Sequence, residues 1–224
     1  MKAIRMHRPG GPEQLVEEQV PDPVPGPGEV LVRVHAAGIT PDELWWPSHC
    51  QTRSGSGRLP SIPGHDVSGV VEALGADVSL AMQLGDEVYG LIDLWRDGAC
   101  AELVVARAGE LAVKPETLGH TRAAAVPTAA LTAWQALFGH AHLERGQRVL
   151  IHGAAGGVGT FAIQLAAWAG ASVVGTATAD NADVLRDLGA EEIIDYHAGP
   201  FEHRVHDVDV VLDTVGGETL ARSY

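Results

Sequence analysis

In Arg148-Val149-Leu150-Ile151-His152-Gly153-Ala154-Ala155-Gly156-Gly157-Val158-Gly159, a short apolar run meets a cluster of glycines. Val158, Phe161, Ala162, Leu165 and Ala166 follow at i, i+3, i+4, i+7 and i+8, which predicts a helix with one buried face. Strand, glycine turn and helix N-terminus make an anion cradle, because unpaired backbone N–H groups and the positive end of the helix dipole face the same point. Gly156 lets the backbone approach a pyrophosphate, and Gly159 lets the helix pack closely on the strand. The match to G-x-G-x-x-G is partial, since Ala154 stands at the first glycine.

The elements around this turn alternate. Strands are expected at 148–152, 172–176, 191–195 and 208–212, with helices at 158–169 and 181–188 between them, the second ended by Gly189. That is the βαβ rhythm of a doubly wound parallel sheet, whose ligands sit beyond the carboxyl ends of the strands. Asp207 to Asp213 reads as a buried strand with Thr214-Val215-Gly216-Gly217 at its carboxyl end. Ala123 to Phe138 reads as a helix interrupted at Pro127.

The first part of the chain has a different grammar. Val30, Val32 and Val34 alternate with Leu31, Arg33 and His35, the period of a strand. Pro21 to Gly28 must be an extended loop. Thr40-Pro41 reads as a helix cap followed by proline at the first helical position. Further strands are expected at Ser68–Leu74, Glu87–Tyr89 and Ala101–Val105. The expected division is a β-rich domain over 1–115 and a dinucleotide-type domain over 116–224.

Composition narrows the partners. The 224 residues carry a formal charge of −14. The 15 Lys and Arg are scattered, so nucleic acid is not an expected partner. Two cysteines, Cys50 and Cys100, argue for a reducing compartment, and the expected location is the cytoplasm. Met1 to Met6 alternates like a strand rather than a signal peptide, no window has the apolar length of a membrane span, and no internal repeat is evident.

Ordered matches run along the chain: Met1-Lys2-Ala3-Ile4, Gly10-Gly11-Pro12-Glu13, Pro27-Gly28-Glu29-Val30, Ala36-Ala37-Gly38-Ile39, Ile62 to Gly69, Gly85-Asp86-Glu87-Val88, Ala129 to Ala133, His152 to Gly159, Leu188-Gly189-Ala190 and Ile194-Asp195-Tyr196. With these the chain resembles the medium-chain dehydrogenase/reductase superfamily, and within it the zinc-independent quinone oxidoreductase-like reductases. The resemblance implies an α/β protein in which a GroES-like catalytic domain precedes a Rossmann sheet. It also implies a nicotinamide cofactor, a small quinone or carbonyl substrate and a possible homodimer. A complete sheet of this type has about six strands, so an end at Tyr224 reads as a C-terminal truncation.

The resemblance also implies roles for particular residues. The cofactor would be held by Ala155, Gly156, Gly157 and Val158, with Val215 and Gly216 passing over its nicotinamide end. No acid closes Val174 to Thr178, so a 2′-phosphate is not repelled. Thr176 and Thr178 can hydrogen-bond that phosphate, and Tyr196 matches a tyrosine that contacts it in relatives. The expected cofactor is therefore NADPH rather than NADH, although the basic residue many NADPH users carry near Asp180-Asn181 is missing and Arg186 is the nearest cation.

Zinc-dependent members of the superfamily hold a catalytic zinc by Cys, His and Cys, with Glu beside the His. The corresponding positions here are Thr40, His65 and a position near Thr128, with Asp66 beside the His. Two of three ligands are gone, so no zinc is expected. His49 and Cys50 suggest a substitute metal site with His65; the favoured reading is instead a hydrogen-bonded His65–Asp66 pair. Without zinc, a developing oxyanion needs hydrogen-bond donors, and Thr40, Asp42, His65 and Thr132 are the catalytic candidates. Trp45 and Trp46 would divide between pocket wall and core.

The leading expectation is NADPH-dependent hydride transfer to a quinone or an α,β-unsaturated carbonyl. A zinc-type alcohol dehydrogenase and a catalytically inactive nucleotide-binding fragment are the alternatives.

Overall fold

Val30 and Val32 are fully buried while Arg33 between Val32 and Val34 is exposed. This alternation belongs to an interior strand of an antiparallel sheet in the computed structural model, which describes residues 1–78 and 82–223, the side chain of Pro41 excepted. The chain divides into two compact units, Met1–Thr128 and Ala129–Tyr224.

The first unit carries β1 (Lys2–Met6), β2 (Leu15–Gln19), β3 (Glu29–Gly38), β4 (Asp66–Leu74), β5 (Glu87–Leu91), β6 (Leu103–Arg107) and β7 (Leu111–Val113). Its main sheet has the order β6-β3-β4-β5-β7, and β1 and β2 form a separate antiparallel pair. Bridges from Ala3 to Ala101 and from Met6 to Ser61 tie that pair to the rest of the unit. Val30, Val32, Val67, Val71 and Val88 fill its core. Between β3 and β4 lie a 3₁₀ segment, Pro41–Trp45, and α1 (Pro47–Cys50). Thr40 does occupy the cap position, but its side chain makes no capping bond. Trp45 is 64% exposed and Trp46 half-buried, so neither is a core residue.

After α2 (His120–Ala123) comes α3 (Pro127–Trp134), which runs into a π-helical stretch, Gln135–His140. The second unit then alternates β8 (Arg148–His152), α4 (Gly157–Ala169), β9 (Ser172–Ala177), α5 (Ala182–Asp187), β10 (Glu192–Asp195), β11 (Val210–Asp213) and α6 (Glu218–Ala221). The four strands among its described residues are all parallel, in the order β10-β9-β8-β11. The order reverses between β8 and β11, and such a reversal is where doubly wound sheets bind dinucleotides.

The two faces of this sheet separate by strand parity. Val149, Ile151, Val173 and Ile193 pack with Ala162, Ile163 and Ala166 of α4. Leu150, Val174 and Ile194 face the other way, under Phe201 and Val205. The buried line of α4 is Gly159, Ala162, Ile163 and Ala166, one step from the expected stripe, whose Val158, Phe161 and Leu165 are only partly buried. Both lines fit a 3.6-residue period; the sheet selects the one containing Gly159, where the two backbones come closest. The strand expected to be buried over 207–213 is shorter and half-exposed, with Val211 at 39%. The reason is its place: among the described residues β11 pairs only with β8 and forms an edge.

Candidate functional site

β8 ends at His152, and Gly153 turns the chain with φ +68°, a conformation that favours glycine. The turn is closed by Gly156 N–H donating to the Gly153 carbonyl at 2.9 Å. The helical ladder of α4 begins with Thr160 N–H to Gly156 O, so the N–H groups of Gly157, Val158 and Gly159 are those a helix start presents. Gly156 is the cap residue and has no side chain to cover them. Ala155, Gly156 and Gly157 are all exposed. A Cβ on Gly156 would meet only the Gly153 carbonyl, at 3.2 Å, whereas one on Gly159 would meet Gly153 O at 2.4 Å and Ala154 at 2.7 Å. The two glycines thus divide as expected, one open outward and one pressed inward. The turn fits a pyrophosphate.

The loop after β11 lies against this turn. Thr214 Oγ1 donates to the His152 carbonyl at 2.9 Å, and Asp213 accepts N–H bonds from Val215 and Gly216. Val215 is 60% exposed. A cleft of about 470 Å³ is lined by Gly153, Thr176, Tyr196, Val215, Phe201 and Arg222. Tyr196 is 52% exposed on it.

Thr176 is buried, and its hydroxyl lies 3.0 Å from Nδ1 of His152, so that group is already engaged. Thr178 Oγ1 accepts from Asn181 Nδ2 at 2.9 Å. Arg186 pairs with Asp183 on its own helix, and the cation that lines the cleft is Arg222, held by Glu202 and stacked over Phe201. Nothing in the spacing of Arg222 signalled this, because the loop carrying Phe201 brings it there. His152 is fully buried, and burial pushes its pKa below the ordinary histidine value. Thr132 is exposed on α3, one turn beyond Ala129, whose Cβ lies 3.8 Å from where a side chain on Gly157 would begin.

In the first unit the expected pair does not form. His65 Nδ1 lies 2.7 Å from Glu43 Oε1, and His65 Nε2 lies 3.0 Å from the Arg96 carbonyl. Asp66 instead accepts from the backbone N–H and hydroxyl of Thr128, at 2.9 and 2.8 Å. Asp66 begins an extended strand, and side chains of successive strand residues point to opposite faces. Burial pushes the Asp66 carboxyl up to about 6, against the pull of the Thr128 bonds.

Glu43, which sequence reasoning missed, is 3% exposed. Burial alone would raise its pKa, but the His49 and His65 rings outweigh it and hold the carboxyl at about 2. Glu43, His49 and His65 converge, their ligand-type atoms all within 4.8 Å of one another. Cys50 is not in this group, and both cysteines are free thiols. Thr40 and Asp42 are exposed on the same segment. His65 is 1% exposed, with both nitrogens engaged.

An antiparallel GroES-like unit followed by a parallel nucleotide-binding sheet with a glycine turn defines a dehydrogenase/reductase of the medium-chain type. The family described as "Alcohol dehydrogenase GroES-like domain" matches residues 26–177, and "Zinc-binding dehydrogenase" matches 157–224. The chain belongs to the medium-chain dehydrogenase/reductase superfamily, among its quinone oxidoreductase-like members.

It is 39% identical over 219 residues to the mitochondrial NAD(P)H oxidoreductase RTN4IP1 of Homo sapiens, covering 86% of this chain and 53% of that protein. It is 35% identical over 231 residues to the quinone oxidoreductase of Mus musculus, covering 99% of this chain and 68% of that one. Among solved structures, the quinone oxidoreductase from Coxiella burnetii superposes with a TM-score of 0.88 at 39% identity, covering all of this chain and 71% of that one. The chain spans about half the length of its RTN4IP1 relatives. No helix among the described residues is long and apolar enough to cross a membrane.

Proposed function

We propose that this chain carries the cofactor site and substrate-side groups of an NADPH-dependent reductase acting on quinones or α,β-unsaturated carbonyls without a catalytic zinc. The observation that carries the reading is the open glycine turn at the start of α4, bordered by the loop after β11 where the strand order reverses.

In this reading Ala155, Gly156, Gly157 and Val158 bind the pyrophosphate through backbone N–H groups, without a charged side chain. Tyr196, which lines the cleft, borders the adenosine end; Thr178, outside that lining, is assigned to the same end, and Thr176 acts through His152 as a positioning residue. Val215 and Gly216 cover the nicotinamide end, and Thr132 stands by its ribose. A bound nicotinamide supplies the hydride. The protein contributes orientation and exclusion of water.

In this reading Thr40 and a position near Thr128 stand where zinc-dependent relatives carry cysteines. Asp66 holds Thr128 by two hydrogen bonds. We assign the substrate-side polar groups to Thr40 and Asp42, both exposed. His65 is removed from that role by its buried partners.

The names of relatives support the reductase class: they include NAD(P)H oxidoreductase and quinone oxidoreductase. The test is turnover of NADPH with a panel of quinones and enones, by this chain and by any longer parent. NADPH oxidation that depends on a quinone or enone, with simple alcohols and NAD giving no turnover, supports the reading. Oxidation only of simple alcohols with NAD, lost on chelation, would replace it with the zinc-type alternative.

A further inference from the structure

We propose that Glu43, His49 and His65 form a buried binding site for one divalent cation of the zinc class, distinct in its ligand set from the Cys/His/Cys site of zinc-dependent relatives. The three residues come from different elements: the 3₁₀ segment, α1 and the entry to β4. All three are nearly inaccessible, at 3%, 0% and 1% exposure.

The hydrogen bonding of His65 is the first argument. A carbonyl only accepts, so Nε2, 3.0 Å from Arg96 O, carries a proton. Nδ1 then faces a second acceptor, Glu43 Oε1, at 2.7 Å. That oxygen also accepts the Gly64 N–H at 2.7 Å, and a cation bound by both Nδ1 and the carboxylate would take the place of the proton that holds the short His65–Glu43 contact. A histidine whose far nitrogen donates to a backbone carbonyl is the usual arrangement of a metal ligand, because that bond fixes the ring and directs the other lone pair.

His49 is the second, independent argument. Neither of its ring nitrogens has a hydrogen-bond partner among the described residues, although the side chain is fully buried. Its Nε2 points to the same carboxylate oxygen, 3.4 Å away. Buried polar atoms are nearly always satisfied, and a cation would take this lone pair. Zinc–nitrogen and zinc–oxygen bonds of about 2.0–2.2 Å place tetrahedral ligand atoms roughly 3.3–3.5 Å apart. Of the two separations from the carboxylate, 3.4 Å falls at that spacing and 2.7 Å below it, and the remaining pair of ligand atoms lies within 4.8 Å.

Two imidazoles and one carboxylate suit zinc, cobalt or nickel; magnesium and calcium prefer all-oxygen shells. A cation here would pin residues 41–50 to the start of β4, and so fix the segment that presents Thr40 and Asp42.

The experiment is a cobalt(II) titration of the chelator-treated full chain, followed by visible absorption, with zinc(II) competition. One equivalent is expected to bind with ligand-field bands, no thiolate charge-transfer band, and displacement by zinc. His49→Gln should weaken uptake by at least about tenfold, while His206→Gln, at an exposed histidine, should leave it unchanged. Failure of the wild type to take up one equivalent, or uptake unaffected by His49→Gln, overturns the proposal and assigns any binding to surface histidines. Should His49→Gln fail to fold, X-ray absorption of the zinc-loaded wild type decides. Imidazole outer-shell scattering with a nitrogen/oxygen shell supports the site, and a sulfur-containing or imidazole-free shell overturns it.

Discussion

A Cβ placed on Gly159 would stand 2.4 Å from the carbonyl oxygen of Gly153. The helix start is therefore pressed onto the glycine turn, and Gly153 of that turn lines the cleft. Gly159→Ala should cost about 1–3 kcal/mol through forced separation of two backbones and weaken dinucleotide binding. Chemical denaturation and nucleotide fluorescence check both effects; an unchanged midpoint would show that α4 and the turn are less closely packed.

Gly156 separates binding from folding. It is exposed, its φ of −75° is open to any residue, and an added Cβ meets only the Gly153 carbonyl at 3.2 Å. Gly156→Val should cost only about 1 kcal/mol of stability, because valine caps a helix poorly, and reduce cofactor affinity at least about tenfold, since the side chain would occupy the phosphate position. Calorimetry showing undiminished binding would place the pyrophosphate elsewhere.

Tyr196 offers a second probe of the cleft. It is 52% exposed, so Tyr196→Ala should change stability by no more than about 0.5 kcal/mol. Loss of an aromatic contact worth about 0.5–1.5 kcal/mol should weaken dinucleotide binding roughly two- to tenfold. Equal affinities of variant and wild type would remove Tyr196 from the cofactor site.

Much of this arrangement is legible in the residues themselves. The 148–152 strand, the glycine turn and the parallel sheet follow from periodicity and glycine placement, both local signals. The partners of His65 do not. They depend on which face of β4 each side chain takes and on a short 3₁₀ segment that buries Glu43 beside His65. The sequence suggests His49 with His65, but no spacing rule adds Glu43 to them. Arg222 reaches the cleft by a similarly non-local route, and the exposure of Val211 reflects an edge position rather than its own apolar character.

His152 ties the cleft to pH. Burial depresses its folded-state pKa below the ordinary value near 6.5, so the unfolded chain binds the proton more readily. Its contribution to stability is full above about pH 6.5 and is lost as pH falls from there through the folded-state pKa. Urea denaturation at about pH 7.5 and 5.5 should show this loss in the wild type, and His152→Asn should show a smaller pH dependence on a lower baseline. An identical pH dependence in both would assign the effect to other groups.

The central claim is that the glycine turn and its cleft hold NADPH. Titration of NADPH and NADH into the 224-residue chain, followed by nucleotide fluorescence or calorimetry, tests it most directly. The account predicts saturable binding of NADPH, weaker binding of NADH, and loss of both in Gly156→Val. Absence of binding to either, or binding untouched by that substitution, would contradict it.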